Sequence, residues 1–288
     1  MNLLGATEIR SLAAALDLNP AKALGQNFVH DANVCRKIVR LANVNSADVA
    51  LEIGPGLGSL TLALLEEASR VVAIEIDSRL AIQLPITVAT RSEKGENLTV
   101  INQDALQVNE LPVQPTVLVA NLPYNISVPV LLHYLEKFPS IQKGVVMVQA
   151  EVAERLIAKP GTKEYGIPSV KAAWWVDTSN AGSVSRSVFW PVPNVDSKLV
   201  GLLRHEAMGD EDLRKRVFAV IDAAFAQRRK MLRSALGSWL GGTGVGGSGV
   251  AQSVLVNAGI DPTLRGEAIV IEQYCAIARS LQEMGIGF

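Results

Sequence analysis

The chain has 288 residues, of which 49% are hydrophobic and 19% charged, a balance expected of a globular protein with one large and one small domain. A formal net charge of −1 excludes a surface uniformly attractive to polyanions, so any nucleic-acid footprint has to be local. Cys35 and Cys275 match no metal-ligand spacing, and no stretch is apolar for long enough to cross a bilayer, so a cytoplasmic protein without a structural metal is expected.

In chain order, residues 7–16 place Ile9, Leu12, Ala13 and Leu16 on one side of a helix that Pro20 should stop. A polar, glycine-containing loop over 22–28 precedes a second helix over 31–42, with Asp31 as its N-cap. Strands and helices then alternate: strand 49–53, helix 59–68, strand 71–76, helix 78–89, surface loop 91–96 and strand 98–101. Strand 117–120, helix 128–135, strand 145–149 and helix 150–157 continue the pattern. Continuous apolar strands alternating with helices indicate a parallel sheet covered on both faces. Two further β-rich runs follow, 169–176 and 197–204. From about residue 206 the pattern turns helical: one long basic helix over 212–240, a flexible glycine-rich connection over 241–249, and helices over 250–258 and 271–284. The expected division is an α/β domain over 1–205 and a small all-α domain over 206–288.

The first strand-to-helix turn reads Leu51-Glu-Ile-Gly-Pro-Gly-Leu-Gly58. Its glycines permit a tight turn and close approach of a ligand, the mark of a nucleotide-type cofactor site. The spacing is not that of a dinucleotide fingerprint, and Glu52 beside the first glycine disfavours a pyrophosphate while tolerating a cationic sulfonium or ammonium. Glu75 ends the second strand, where a carboxylate can accept from both hydroxyls of a ribose. Asp77 suits a helix N-cap, and Asp104 after the third strand suits either an adenine amine or a turn. After the fourth strand comes Asn121-Leu-Pro-Tyr124, which fits a planar exocyclic amine: a side-chain oxygen and a backbone carbonyl as acceptors, a stiff turn, and a ring for stacking. The same four residues also fit a strand that simply ends in a proline turn.

Taken together, three such residues after successive strands resemble the Rossmann-like sheet of a class I methyltransferase. More closely, the chain resembles the bacterial small-subunit rRNA adenine N6,N6-dimethyltransferases. The resemblance rests on Leu24-Gly-Gln-Asn-Phe28, Glu52-Ile-Gly-Pro-Gly-Leu-Gly58, Ile74-Glu-Ile-Asp77, Gln103-Asp-Ala-Leu106, Asn121-Leu-Pro-Tyr-Asn-Ile-Ser127, Phe189-Trp-Pro-Val-Pro-Asn-Val-Asp-Ser197 and Ala226-Gln-Arg-Arg-Lys-Met-Leu-Arg233. It implies S-adenosylmethionine as cofactor, held by Asn27, Val29, Gly54, Glu75 and Asp104, with Asn121 bridging to the substrate site. Asn121 and the Leu122 carbonyl would hold the adenine amine, and Tyr124 and Phe189 would stack on the base, Phe189 from an exposed, proline-rich loop. The implied partner is 16S rRNA in the small subunit or its precursor, modified at two adjacent adenosines of the 3′-terminal hairpin loop by a monomeric enzyme during ribosome biogenesis. Arg228, Arg229, Lys230 and Arg233 are candidate phosphate contacts, as are Arg36, Lys37 and Arg40. The alternatives are a resistance-type methyltransferase acting on 23S rRNA, a non-catalytic rRNA-binding assembly factor and, more distantly, a dinucleotide oxidoreductase.

Overall fold

The computed structural model describes residues 2–18, 27–244 and 246–287. Helix α1 (Ala6–Ala15) buries Ile9 and Ala13, and the Glu8 carboxylate accepts from the Gly5 N–H at its start. Pro20 and most of the polar loop that follows lie outside the described residues. After the two-residue strand β1 (Phe28–Val29), helix α2 (Ala32–Leu41) opens at Asp31. Its carboxylate accepts from Asn33 N at 2.8 Å and Val34 N at 3.1 Å, donors that a helix start otherwise leaves unpaired.

The alternation expected from the sequence follows: β2 (Val49–Ile53), α3 (Ser59–Glu67), β3 (Arg70–Glu75), α4 (Ser78–Ala89), β4 (Leu98–Asn102), β5 (Val117–Asn121), α5 (Ser127–Lys137), β6 (Lys143–Gln149) and α6 (Ala150–Ile157). Next come α7 (Ile167–Ala172), β7 (Val176–Val184), β8 (Phe189–Trp190) and β9 (Ser197–Arg204). The main sheet has seven strands in the order β4-β3-β2-β5-β6-β9-β7. The first five pair in parallel, and β9 runs antiparallel to β6. Central β5 is fully covered, with Val117, Leu118 and Val119 all at 0% exposure, and such side chains each contribute about 1.5–3 kcal/mol of burial. Chain order runs outward from β2 through β3 to β4 in one direction and from β5 to β6 in the other. Between them lies the switch point, where the carboxyl ends of an open α/β sheet form a crevice.

At the opposite edge, the Asp48 carboxylate joins three segments. It accepts from Thr116 Oγ1 at 2.8 Å and Asn45 N at 2.9 Å, and pairs with Lys143 Nζ at 2.9 Å. Close packing of β6 on β5 depends on Gly144, where an added Cβ would lie 2.3 Å from the Leu118 carbonyl oxygen. Gly144→Ala is expected to cost about 3 kcal/mol, the upper end for overpacking, read as a lowered urea midpoint with little change in slope.

The chain divides into two compact units, one of residues 1–153 with 178–204 and another of 154–177 with 205–288. Residues 154–177 thus group with the later helices, and the second unit is completed by α8 (Glu211–Ala226), α9 (Leu232–Gly242), α10 (Ser248–Asn257) and α11 (Ile271–Glu283).

Three expectations are corrected here. Residues 169–176 are mostly not β: α7 begins with Pro168 in its first turn and Gly166 N donating to Ser169 Oγ, and only Val176 enters a strand. The apolar run of this segment serves ring packing, since Trp174 and Trp175 meet Phe218 edge-on at 6.3 and 5.4 Å. Residues 212–240 are not one helix. The chain turns after Ala226, and α9 restarts with Leu232 N donating to the Leu264 carbonyl and Arg233 N to that of Pro262. Finally, the ends of the glycine-rich run 241–249 are helical: Gly241 and Gly242 complete α9, while Ser248 and Gly249 open α10. The two helices approach so closely that a Cβ on Gly237 would fall 2.7 Å from Ser248 Cα.

Candidate active site

A cleft of about 860 Å³, its open mouth included, lies at the carboxyl ends of β2, β3, β4 and β5. All six residues assigned to the cofactor from the sequence line it: Asn27, Val29, Gly54, Glu75, Asp104 and Asn121. The β2–α3 turn forms its floor. Gly54 has φ 70°, and a Cβ there would lie 3.7 Å from the Asn121 carbonyl oxygen. Gly56 has φ 57° and faces the Phe28 ring, 2.8 Å from where its Cβ would be. These left-handed conformations and close approaches require glycine. The turn therefore presents bare backbone to the cleft.

Glu75 is almost fully buried. Its carboxylate accepts from Gly56 N at 3.1 Å and Asp77 N at 3.0 Å, which fixes its orientation and leaves about two of its four lone-pair directions for a ligand. Burial holds its pKa above the ordinary value, with the two backbone donors offsetting part of the rise. Asp77 is the N-cap of α4, accepting from Arg79 N at 2.9 Å, as the sequence suggests. Asp104 does two things at once: it lines the cleft and accepts from Leu106 N at 2.9 Å in a short helical turn.

Glu52 projects into the same cleft and is 1% exposed. Burial, together with the neighbouring Glu75 charge, pushes its pKa up to about 8, while Thr61 Oγ1 donates to it at 2.6 Å. Ser59 Oγ, also on the lining, is buried without a hydrogen-bond partner among the described residues. A buried hydroxyl with no described partner, a carboxylate with lone pairs to spare and a second buried acid fit a nucleoside with a cationic centre. Sequence reasoning missed Ser59 and Ile76. Ile76 is 53% exposed on the cleft wall, and its place directly after the acid that ends β3 was the available signal.

Asn121 closes β5, and Leu122 N continues the ladder by donating to the Met147 carbonyl at 3.0 Å. The Asn121 amide is orientated by its Nδ2, which donates to the Asn27 carbonyl at 3.0 Å. A carbonyl can only accept, so this contact assigns the amide and leaves Oδ1 on the other side as an acceptor. The Leu122 side chain is buried, and Tyr124 is half-buried with its hydroxyl 2.9 Å from Ser197 Oγ. Phe189 overturns an expectation. It is 1% exposed, sits in β8 with Val29 as its register partner, and belongs to the hydrophobic core rather than to an exposed loop. The exposed apolar side chains of that region are Val192 and Val195 instead.

The basic residues separate by use. Arg228 is committed internally, pairing with Glu267 and donating to the carbonyls of Lys163 and Tyr165. It ties the second unit together rather than standing free for phosphate. Arg229 and Lys230 are exposed in the turn before α9, and Arg233 is partly exposed on it. Arg36 forms a two-pronged pair with Glu66, while Lys37 and Arg40 are exposed on α2. No helix among the described residues is long and apolar enough to cross a membrane.

A switch-point cleft with a glycine turn, a buried carboxylate at the end of β3 and Asn-Leu-Pro-Tyr after β5 is the arrangement of a class I methyltransferase. Residues 18–283 match the family model described as ribosomal RNA adenine dimethylase. The chain belongs to this family, whose enzymes use S-adenosylmethionine. It is 55% identical over 285 residues to ribosomal RNA small subunit methyltransferase A of Streptomyces griseus, covering 98% of this chain and 96% of that protein. The protein of the same name from Leifsonia xyli is 56% identical over 280 residues, covering 96% and 98%. Among solved structures, a dimethyladenosine transferase from Plasmodium falciparum superposes with a TM-score of 0.76 at 25% identity, covering 90% of this chain and 98% of that one. The 23S rRNA methyltransferase ErmE gives a TM-score of 0.64, also at 25% identity, over 88% and 99%.

Proposed function

We propose that this chain dimethylates N6 of two adjacent adenosines in the 3′-terminal hairpin loop of 16S rRNA. It works as a cytoplasmic monomer on the small subunit or its precursor, with residues 1–205 catalytic and 206–288 helping to hold RNA. The observation that carries the reading is the orientated Asn121 amide at the end of β5, on the lip of the cofactor cleft. Asn27, Val29, Gly54, Glu75 and Asp104 would hold S-adenosylmethionine, which supplies an electrophilic methyl group when bound.

The adenine N6 lone pair is delocalised into the ring and is a poor nucleophile. Asn121 Oδ1 and the Leu122 carbonyl accept its two hydrogens, favour a pyramidal nitrogen and align the lone pair with the cleft. Tyr124 offers a ring face to a base drawn out of its stack, worth about 1–3 kcal/mol per stacked base. No strong base is needed, because the nitrogen sheds its proton only after it has become cationic. Arg229, Lys230 and Arg233 are the phosphate contacts of this reading, with Lys37 and Arg40 as further ones.

The test is methyl transfer by the purified chain to small subunits lacking the modification, followed by mass mapping of both rRNAs. Two adjacent dimethyladenosines in 16S rRNA are expected. Modification confined to 23S rRNA would replace the reading with the resistance-type activity.

A further inference from the structure

Two sequence motifs far apart in the chain meet through one hydrogen bond, between the Tyr124 hydroxyl and Ser197 Oγ at 2.9 Å. The meeting follows from topology. β5 and β6 are parallel, with Asn121 opposite Met147, whereas β9 is antiparallel to β6, with Ser197 opposite Gln149. Reversal of β9 therefore sets its first residue at the edge where β5 and β6 have their last ones.

The two partners differ in how firmly they are held. Ser197 is 0% exposed, lies in the ladder with β6, and is flanked by an Ala150 N–H donating to the Asp196 carbonyl at 2.9 Å. Tyr124 lies in the turn between β5 and α5 and is only half-buried. The tyrosine oxygen lies on the ring's own axis of rotation, so a bond there fixes where the ring axis points, and restrains the ring's turn about that axis only through the phenol's preference for in-plane hydrogen bonds. The hydroxyl of a fixed strand thus sets the position of a ring carried on a turn, and that position is what a stacked base meets.

The consequence differs between the two methyl transfers. In the first, Asn121 Oδ1 and the Leu122 carbonyl can each hold one hydrogen of the amine. In the second only one hydrogen remains, so alignment depends more on stacking. Resting on the adenine reading above, we propose that Ser197 is a positioning residue for the second methylation, acting by holding the Tyr124 ring in the place where the monomethylated base stacks on it.

The test uses the full chain with Ser197→Ala, Tyr124→Phe and the double variant, on small subunits lacking the modification. Mono- and dimethyladenosine are followed by mass spectrometry over time, alongside cofactor affinity by calorimetry and thermal melting. Each single variant should slow the second transfer by about 3- to 10-fold more than it slows the first, the rate equivalent of one neutral hydrogen bond, so that monomethyladenosine accumulates. The double variant should be no slower than either single one, because both remove the same bond. Tyr124→Phe breaks the bond without touching the buried strand, so a folding defect in Ser197→Ala would not decide the matter. Effects that multiply in the double variant, or equal slowing of both transfers, would overturn the inference while the adenine reading stands. Failure of the unaltered chain to form any dimethyladenosine would overturn that reading, and the inference with it.

Discussion

Asn121→Ala is expected to slow single-turnover methyl transfer by about 10²–10³-fold, the scale of removing one preorganised hydrogen-bonding group aimed at the reacting centre. Cofactor affinity should change far less. Gly54, Glu75 and Asp104 remain in place, and Asn121 contributes to the cofactor side mainly by holding the Asn27 carbonyl through Nδ2. The measurement is a quench-flow time course with enzyme in excess over small subunits, beside calorimetry with the cofactor. An effect on affinity as large as that on rate would make Asn121 a cofactor residue only. Near-normal single-turnover methylation would sink the proposed handling of the amine.

Glu52→Gln is expected to move stability and cofactor binding in opposite directions. In the folded, ligand-free protein the Glu52 carboxyl keeps its proton until pH about 8, because burial and the nearby Glu75 disfavour its charge. In the unfolded chain it ionises near the ordinary glutamate value of about 4.3. Between these values the folded state holds more protons than the unfolded one, so this group lowers stability as pH rises from about 4.5 to about 8, and the loss then levels off. A neutral glutamine escapes that loss. Its melting temperature should exceed that of the unaltered chain at pH 8 and converge with it near pH 5. Binding has the reverse sign: a cationic ligand favours the ionised carboxylate, so uptake of S-adenosylmethionine at pH 7 should release protons and tighten toward pH 8. Titrations in two buffers of different ionisation enthalpy measure that release, and Glu52→Gln should abolish it and weaken binding by about tenfold or more. A variant that binds as tightly as the unaltered chain, with the same proton release, would remove Glu52 from the cation site.

The sheet and the cofactor cleft were legible because their signals are local. The glycine turn, the acids after successive strands and the apolar runs over 49–53, 71–76 and 117–120 each report their own geometry. What was not legible depended on partners distant in sequence. No helix-breaking residue marks positions 227–231, so the break between α8 and α9 is not visible there; the new helix start is supplied by the carbonyls of Pro262 and Leu264. The apolar residues around Trp174 imitate a strand until Phe218 gives them something to pack against. Conversely β7, Val176–Val184, is largely polar and uncovered at the sheet edge, so its composition reads as loop. Phe189 was placed by the prolines around it, and its register with Val29 buries it instead. Arg228 looked like its neighbours Arg229 and Lys230 until Glu267 came within reach.

The reversed strand β9 also bears on how such an enzyme can change over time. Residues that line the cofactor cleft all come from positions 27–126, whereas the strand that steadies Tyr124 arrives more than seventy residues later. Asn121 belongs to both sets, as a cleft residue and as the head of the amine-handling tetrapeptide. Mutation at Ser197 can therefore reach the Tyr124 ring without altering any residue that lines the cleft. The two sets meet in the turn after β5, where Asn121 and Pro123 line the cleft while Tyr124 reaches the later strand.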